Sequence, residues 1–135
     1  MSIYEQYKTV DDAITIKFKA NDDGTIPSFK IGRTSRNNTL WAKTFEATFR
    51  PYKNELADGT ISESDANRLN IIVFITAILK GWENIQDSTG SNIEYNEENA
   101  TKLFNDLPDL FQKLSFESSK MDNFLASNLK ADAKN

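Results

Sequence analysis

The amino-acid sequence predicts an α+β fold that is mainly α-helical and has a small β component. Three observations predict it. Apolar residues alternate over residues 13–20, aromatic residues recur every fourth position after residue 38, and a long apolar segment covers residues 63–80. Alternation is typical of a half-buried strand, whereas the other two patterns are typical of helices. We therefore expect an N-terminal β-hairpin, three to four packed helices and a short second hairpin after the central helix.

The first of these elements is the N-terminal hairpin. Residues 13–20 form its first strand, and the Asn-Asp-Asp-Gly sequence at residues 21–24 forms its turn, because glycine tolerates positive φ and Asn and Asp close local hydrogen bonds. Residues 25–32 form the returning strand. Pro27 has no N–H to donate, so this strand should be short or lie at the edge of the sheet. The inward face of the first strand carries Ile14, Ile16 and Phe18.

An aromatic stripe predicts a helix that begins after Asn37 or Asn38, either of which is a natural N-cap. The stripe consists of Trp41, Phe45 and Phe49, which lie on one side of a helix because they stand four residues apart. Pro51 ends or kinks the helix, since proline lacks the N–H and clashes with the preceding turn. Aromatic residues at this spacing are more often core than ligand platform, and we expect Trp41 to reach the edge of the core.

The central helix is predicted over Glu63–Lys80, after a capping-box-like start at Ser62. It is apolar on most of its sides, so we expect it to be buried. Lys80 and Gly81 predict its end, because a cation stabilises the negative end of the helix dipole and a glycine can adopt the left-handed conformation of a C-cap.

Two further helices and a tail are expected after the central helix. Trp82 should pack a hairpin, with its turn at residues 87–90, onto the helices. Asn96 is a natural N-cap, and Pro108 suits the first position of a helix. We expect a single globular domain over residues 1–116. Residues 117–135 should form a weakly helical or flexible tail, because large apolar residues become sparse there.

Composition argues against an enzyme. The chain has 135 residues and contains neither histidine nor cysteine, which excludes thiolate metal sites and imidazole-based catalysis. The loop that begins at Asp87 departs from the spacing of a calcium loop, because its glycine comes too early. We therefore expect no catalytic residue, no metal site and no cofactor. A carboxylate- or magnesium-dependent enzyme remains the least favoured alternative.

Charge is unevenly distributed along the chain. The formal net charge is −4, yet residues 81–109 hold seven acidic side chains and one basic one, Lys102. Residues 1–57 hold nine basic and seven acidic side chains. Because phosphate contacts need Lys and Arg, we expect no binding to nucleic acid. The acidic stretch is either a solvated surface or faces a basic partner. The longest apolar run, at residues 71–79, is too short for a membrane span, which needs about 20 residues.

A series of motifs in the second half resembles the tail assembly chaperones of long-tailed bacteriophages. Gly81-Trp82 stands at the predicted helix end, and a hairpin with a glycine follows. The helix start Tyr-Asn-Glu-Glu-Asn-Ala then occupies residues 95–100, and Leu-Pro-Asp-Leu occupies residues 107–110. The resemblance covers about residues 63–115. Each motif position also has a structural explanation as a cap, a packing residue or a helix start: Gly81, Trp82, Asn96 and Pro108.

The resemblance implies a non-catalytic role. Such proteins bind the phage tape measure protein, keep it soluble and help to recruit the major tail protein, which forms the tail tube. It also implies self-association and absence from the mature virion. The first ten residues have neither a basic start nor an apolar core, so no export signal is expected, which favours the cytoplasm of the host cell, and we expect no binding to membranes. A small structural or adaptor component of a virion or phage-tail-like device is the alternative. The side chains that we expect to bind the partner, with the tail residues as exposed contacts, are Trp41, Trp82, Phe124, Leu125 and Leu129.

Overall fold

A computed structural model describes residues 1–10, 13–126 and 128. In this part of the chain a three-stranded antiparallel sheet packs against helices, which confirms the predicted α+β class and the N-terminal hairpin. The strands are β1 (Ile14–Lys17), β2 (Ser28–Ile31) and β3 (Leu79–Glu83). The helices are α1 (Ile3–Tyr7), α2 (Thr39–Phe49), α3 (Lys53–Asp58), α4 (Glu63–Ala77), α5 (Glu97–Asp106) and α6 (Pro108–Ser119). Short 3-10 turns follow α2 at Arg50–Tyr52 and α6 at Met121–Phe124.

The hairpin of β1 and β2 closes at Gly24, whose φ of +87° is one that glycine adopts without a steric penalty. Ile16 lies opposite Phe29 in the register. Pro27 precedes β2 and accepts a hydrogen bond from Phe18 N–H through its carbonyl, at 2.9 Å, so the strand itself loses no donor. β2 is short, as predicted. It is nevertheless the central strand, because β3 pairs along its other side.

The end of the central helix differs from the prediction. α4 ends at Ala77, and the chain turns after Ile78 directly into β3. Gly81 is therefore a strand residue opposite Lys30, its φ is not positive, and its predicted role as a C-cap is wrong. Residues 79–83 pair with β2 instead of continuing the helix, because this pairing buries Leu79 beside Ile31 on the inner face of the sheet. Lys80 still interacts with the carboxyl end of α4, as predicted, because its ammonium group donates to the carbonyl of Ala77 at 3.1 Å.

The core lies between the inner face of the sheet and the helices α4, α5 and α6. Its fully buried large side chains come from both layers: Phe29, Ile31, Ile78, Phe104, Leu114 and Phe124. A smaller apolar cluster joins α2 to α4 through Phe49, Leu69 and Val73. None of the described helices is long and apolar enough to span a membrane.

The predicted helix starts agree with the structure. Asn38, Ser62 and Asn96 each accept a hydrogen bond from a backbone N–H in the first turn of the following helix. Pro108 occupies the first turn of α6, and Pro51 lies in the 3-10 turn that ends α2. A second hairpin follows β3, closed by a hydrogen bond of 2.7 Å from Ile93 N–H to the carbonyl of Ile85.

The two glycines Gly81 and Gly59 should respond in opposite ways to alanine. A Cβ at Gly81 would meet open space at an ordinary φ, so Gly81→Ala should raise the free energy of unfolding by up to about 1 kcal/mol. Gly59 ends α3 with a φ of +70°, so Gly59→Ala should lower it by about 1 kcal/mol. Urea unfolding of both variants measures the difference, and loss of stability in Gly81→Ala would instead favour a helix end at residue 81.

Candidate partner-binding groove

A groove of about 340 Å³ opens between α2 and α6, with α4 as its floor. α2 supplies one wall and α6 the other, while the loop before α2 reaches one end through Thr34. That loop is fixed to α6, because Thr34 N–H donates to the carbonyl of Ser118 at 2.9 Å and their hydroxyl groups are 2.8 Å apart. The groove is thus built on elements that are held by the core.

Aromatic rings line the walls of this groove. Trp41 and Phe45 form the α2 wall, with ring centroids 5.4 Å apart. Phe111 forms part of the α6 wall and meets Phe74 of the floor edge to face at 5.3 Å. Phe49, further along α2, is buried in the smaller cluster. The aromatic stripe is therefore core at one end and groove wall at the other, and Trp41 lies at the edge of the core as expected.

The polar residues of the groove carry no formal charge. They are amides and hydroxyls, and they lie on the floor, on the α6 wall and at the end of the groove: Thr34, Asn67, Asn70, Gln112 and Ser115. An aromatic lining with a few uncharged polar groups suits the apolar face of an amphipathic segment, because such a face brings no charge that would need a partner.

Trp82 is not part of this groove. It lies in β3 opposite Phe29, with ring centroids 5.9 Å apart, and its indole N–H donates to the carbonyl of Ile93 at 2.9 Å. Tyr95 packs edge to face on Trp82 at 5.1 Å and donates its hydroxyl to the carbonyl of Leu79. Burial raises the pKa of Tyr95. Trp82 therefore fastens the second hairpin to the sheet, whereas the sequence predicted that it would pack this hairpin onto the helices.

The expected exposure of the tail residues is wrong for Phe124 and Leu125, of which 0% and 8% of the surface is exposed. The cause is a bridge between distant parts of the chain. Val10 N–H donates to the carbonyl of Phe124, and Ala126 N–H donates to that of Lys8, each at 2.8 Å. This bridge holds Phe124 in the core. Leu129 lies outside the described residues, and the division of the chain at residue 116 stays a prediction.

The largest exposed apolar surface that sequence reasoning missed is α1. Its side chains Ile3, Tyr4 and Tyr7 are 62%, 87% and 58% exposed, and none of its residues is buried. Ser2 caps the helix by accepting from Glu5 N–H at 3.2 Å. The spacing of Tyr7, four residues after Ile3 and three after Tyr4, is typical of one side of a helix and could have indicated this segment. Phe116, in α6, is also 60% exposed.

The turn at Asp87, considered above as a distant relative of a calcium loop, is closed by its own hydrogen bonds. One carboxylate oxygen of Asp87 accepts from Thr89 N–H, the Thr89 hydroxyl and Ser91 N–H, and the Thr89 hydroxyl bond is the largest cause of the lowered pKa of Asp87. The described residues include no group of three acidic side chains that could hold a metal ion.

Asp23 joins the first turn to the second hairpin. One of its oxygens accepts from the hydroxyl and the N–H of Thr25, at 2.6 and 2.9 Å, and the other accepts from Gln86 at 2.9 Å. These bonds, above all that from the Thr25 hydroxyl, lower the pKa of Asp23 to about 2.

Comparison with known families shows to which family the chain belongs. A family model described as YdaY prophage protein matches residues 36–135, which include α2 to α6 and β3 and thus nearly all of the groove. The chain is therefore a phage-related protein. It belongs to the YdaY prophage protein family. No match was found to a curated protein or to a solved structure.

Two phenylalanines of the same segment should differ sharply on truncation. Phe124→Ala should lower the free energy of unfolding by about 3 to 5 kcal/mol, because it leaves a cavity in the core. Phe116→Ala, at an exposed position, should change it by no more than about 0.5 kcal/mol. Chemical unfolding measures both values. Equal, small losses would mean that Phe124 is not a core residue.

The hydrogen bonds of Asp23 predict its titration. Thr25→Val removes the strongest of them and should raise the pKa of Asp23 from about 2 towards 3.8. Because the folded pKa is the lower one, the stabilising contribution of Asp23 is complete above pH 3.8 and is lost as the pH falls towards about 2. Carboxyl titration by NMR measures the shift, with the same titration of Asp87 as the internal control. An unchanged pKa of Asp23 would refute the assignment.

Proposed function

We propose that this protein is a tail assembly chaperone that binds the tape measure protein during tail morphogenesis. The observation that carries the proposal is the open, aromatic-lined groove between α2, α4 and α6. Helix-in-groove binding uses an apolar channel that receives the anchor side chains of an amphipathic helix. A tape measure protein is long and helical, so it offers many segments of this kind.

Two further observations support the proposal. Membership of a prophage protein family provides the phage context. The motifs at residues 81–82, 95–100 and 107–110, in the order that resembles tail assembly chaperones, lie within the matched region. Binding through uncharged side chains would keep the apolar face of the tape measure protein away from water, which is the physical requirement for keeping it soluble.

The proposal also covers where the chaperone acts and when it is released. The chaperone acts without catalysis in the cytoplasm of the host cell, helps to recruit tail tube subunits to the tape measure protein, and is released before the virion is complete. The alternative, a small structural or adaptor component, differs in one observable respect. Mass spectrometry of purified virions should lack the chaperone but would contain a structural component.

Binding in the groove can be tested by blocking its floor. Asn70 is exposed and lies in the groove, so Asn70→Arg should place a charged side chain where an apolar helix face would lie. Because an unpaired charge in an apolar contact is costly, we expect about tenfold weaker binding to a tape measure fragment, or about 1.4 kcal/mol. Calorimetry measures the binding, and co-expression measures how much of the fragment stays soluble.

The matched control is Asn54→Arg, which makes the same substitution at an exposed position of α3 outside the groove. It should leave both readouts unchanged, and both variants should keep the unfolding midpoint of the wild type. If wild-type protein neither binds nor solubilises tape measure fragments that together span its length, the proposed function is refuted. If Asn70→Arg binds as well as Asn54→Arg, the groove is not the binding site.

A further inference from the structure

The outer face of the sheet, which points away from the helices, is polar and open. Two rows of facing residues cross it. One row is Thr15, Lys30 and Gly81, and the other is Lys17, Ser28 and Glu83. Facing residues of adjacent strands project to the same side of a sheet. A Cβ placed on Gly81 would have no neighbour within 4 Å, so the middle of this face is uncovered by the described chain.

A shift of register adds a third lysine to this face. Lys30 pairs with Gly81 and Ile31 pairs with Leu79, so Lys80 is the additional residue between them. Lys30 and Lys80 lie beside a shallow depression of about 260 Å³. Its other lining residues are Thr15, Ser28, Gly81, Trp82 and Glu83. The small residues Ser28 and Gly81 leave room there for a side chain from outside.

Positive charge dominates this outer face. It carries Lys17, Lys30 and Lys80 against Glu83 alone. The ion pairs among the described residues all lie elsewhere, on helices, and none involves these lysines. Lysines gathered without an acidic partner repel each other, so a surface of this kind gains from an anionic partner.

The complementary surface is the acidic start of α5, formed by Glu97 and Glu98 in its first turn and by Glu94 just before the helix. All three side chains are exposed, and none is in an ion pair among the described residues. Lys102, the one cation of residues 81–109, is instead 2.5 Å from Asp106 in the next turn of α5. The start of α5 therefore presents its carboxylates to the outside, and no cation among the described residues pairs with them.

We propose that the outer sheet face of one copy of this protein binds the acidic start of α5 of a second copy. Charge complementarity selects the occupant, because the chain itself carries both surfaces and the part that the structure describes has no ion pair between them. A glutamate of the second copy enters the depression beside Lys30, and Lys80, whose ammonium group also donates to the carbonyl of Ala77, adds positive charge to its lining. The contact joins two different surfaces, so each copy retains one of each kind and copies can join head to tail. The resemblance implies self-association in general, whereas this inference assigns the two surfaces that make the contact. It involves neither the groove nor the tape measure protein.

Sedimentation analysis at two ionic strengths tests the proposal. At about 0.01 M salt the mass should rise above the 15.3 kDa of one chain as the protein concentration increases. At about 1 M salt, where exposed charges are screened over about 3 Å, it should return to that of one chain. A monomer under every condition, or an association that salt does not weaken, would overturn the proposal.

Charge reversal then locates the surfaces. Lys17→Glu/Lys30→Glu and Glu97→Lys/Glu98→Lys should each weaken association at least about tenfold, because each variant opposes like charges (about 1.4 kcal/mol). An equimolar mixture of the two variants should associate again, since each variant then meets the opposite charge on the other. Two control variants have the same net charges as the test variants but reverse charges away from both surfaces: Lys43→Glu/Lys53→Glu and Glu55→Lys/Asp58→Lys. Both controls should associate like the wild type.

The mixture is decisive, because loss of folding in either variant could not produce renewed association. Failure of the mixture to associate, while both variants keep the unfolding midpoint of the wild type, would overturn the proposal. Binding of a tape measure fragment by the two variants is measured separately. That binding should persist, so a failure of the present proposal and a failure of the proposed function give different results.

Discussion

The pairing of β3 with β2 is the interaction on which the rest of this structure depends. β3 follows the buried helix α4 after a single residue, Ile78, whose carbonyl accepts a hydrogen bond from Gly32 N–H at 2.7 Å. A two-stranded hairpin is marginal in water on its own. Through β3 the hairpin gains a third strand that is tied to the helices, and its inner face becomes one wall of the core. The sheet and the helices thus each cover the apolar face of the other.

Most of the fold could be predicted from the sequence because most of its signals are local. Caps at Asn38, Ser62 and Asn96 act within one helical turn, and the alternation that marks β1 lies within the strand itself. The end of α4 could not be predicted in this way. Lys80 and Gly81 are good helix-ending residues, and only the partner strand β2, distant in sequence, makes them part of a strand. Tertiary pairing outweighed local propensity there.

The candidate site could be predicted only in part, for the same physical reason. The spacing of Trp41, Phe45 and Phe49 identified the aromatic side of α2, and the position of Trp41 at the core edge agreed. The groove itself needs α6 on the far side of α4, which no local pattern contains. Phe124 was misplaced because sparse apolar residues suggested a loose tail, whereas a backbone bridge to residues 8–10 fixes it in the core.

That bridge also sets the order in which the molecule can be completed. Residues 8–10 leave the ribosome early and residues 124–126 leave it late, yet the two segments hydrogen-bond to each other and seat the wholly buried Phe124. The nascent chain can form its helices and its sheet as they emerge. Its core, however, lacks the ring of Phe124 until residues 124–126 have left the ribosome. Such a closure joins distant segments and is slow relative to local helix formation. The place of Phe124 in the core is therefore filled only after both segments of the bridge have been synthesised.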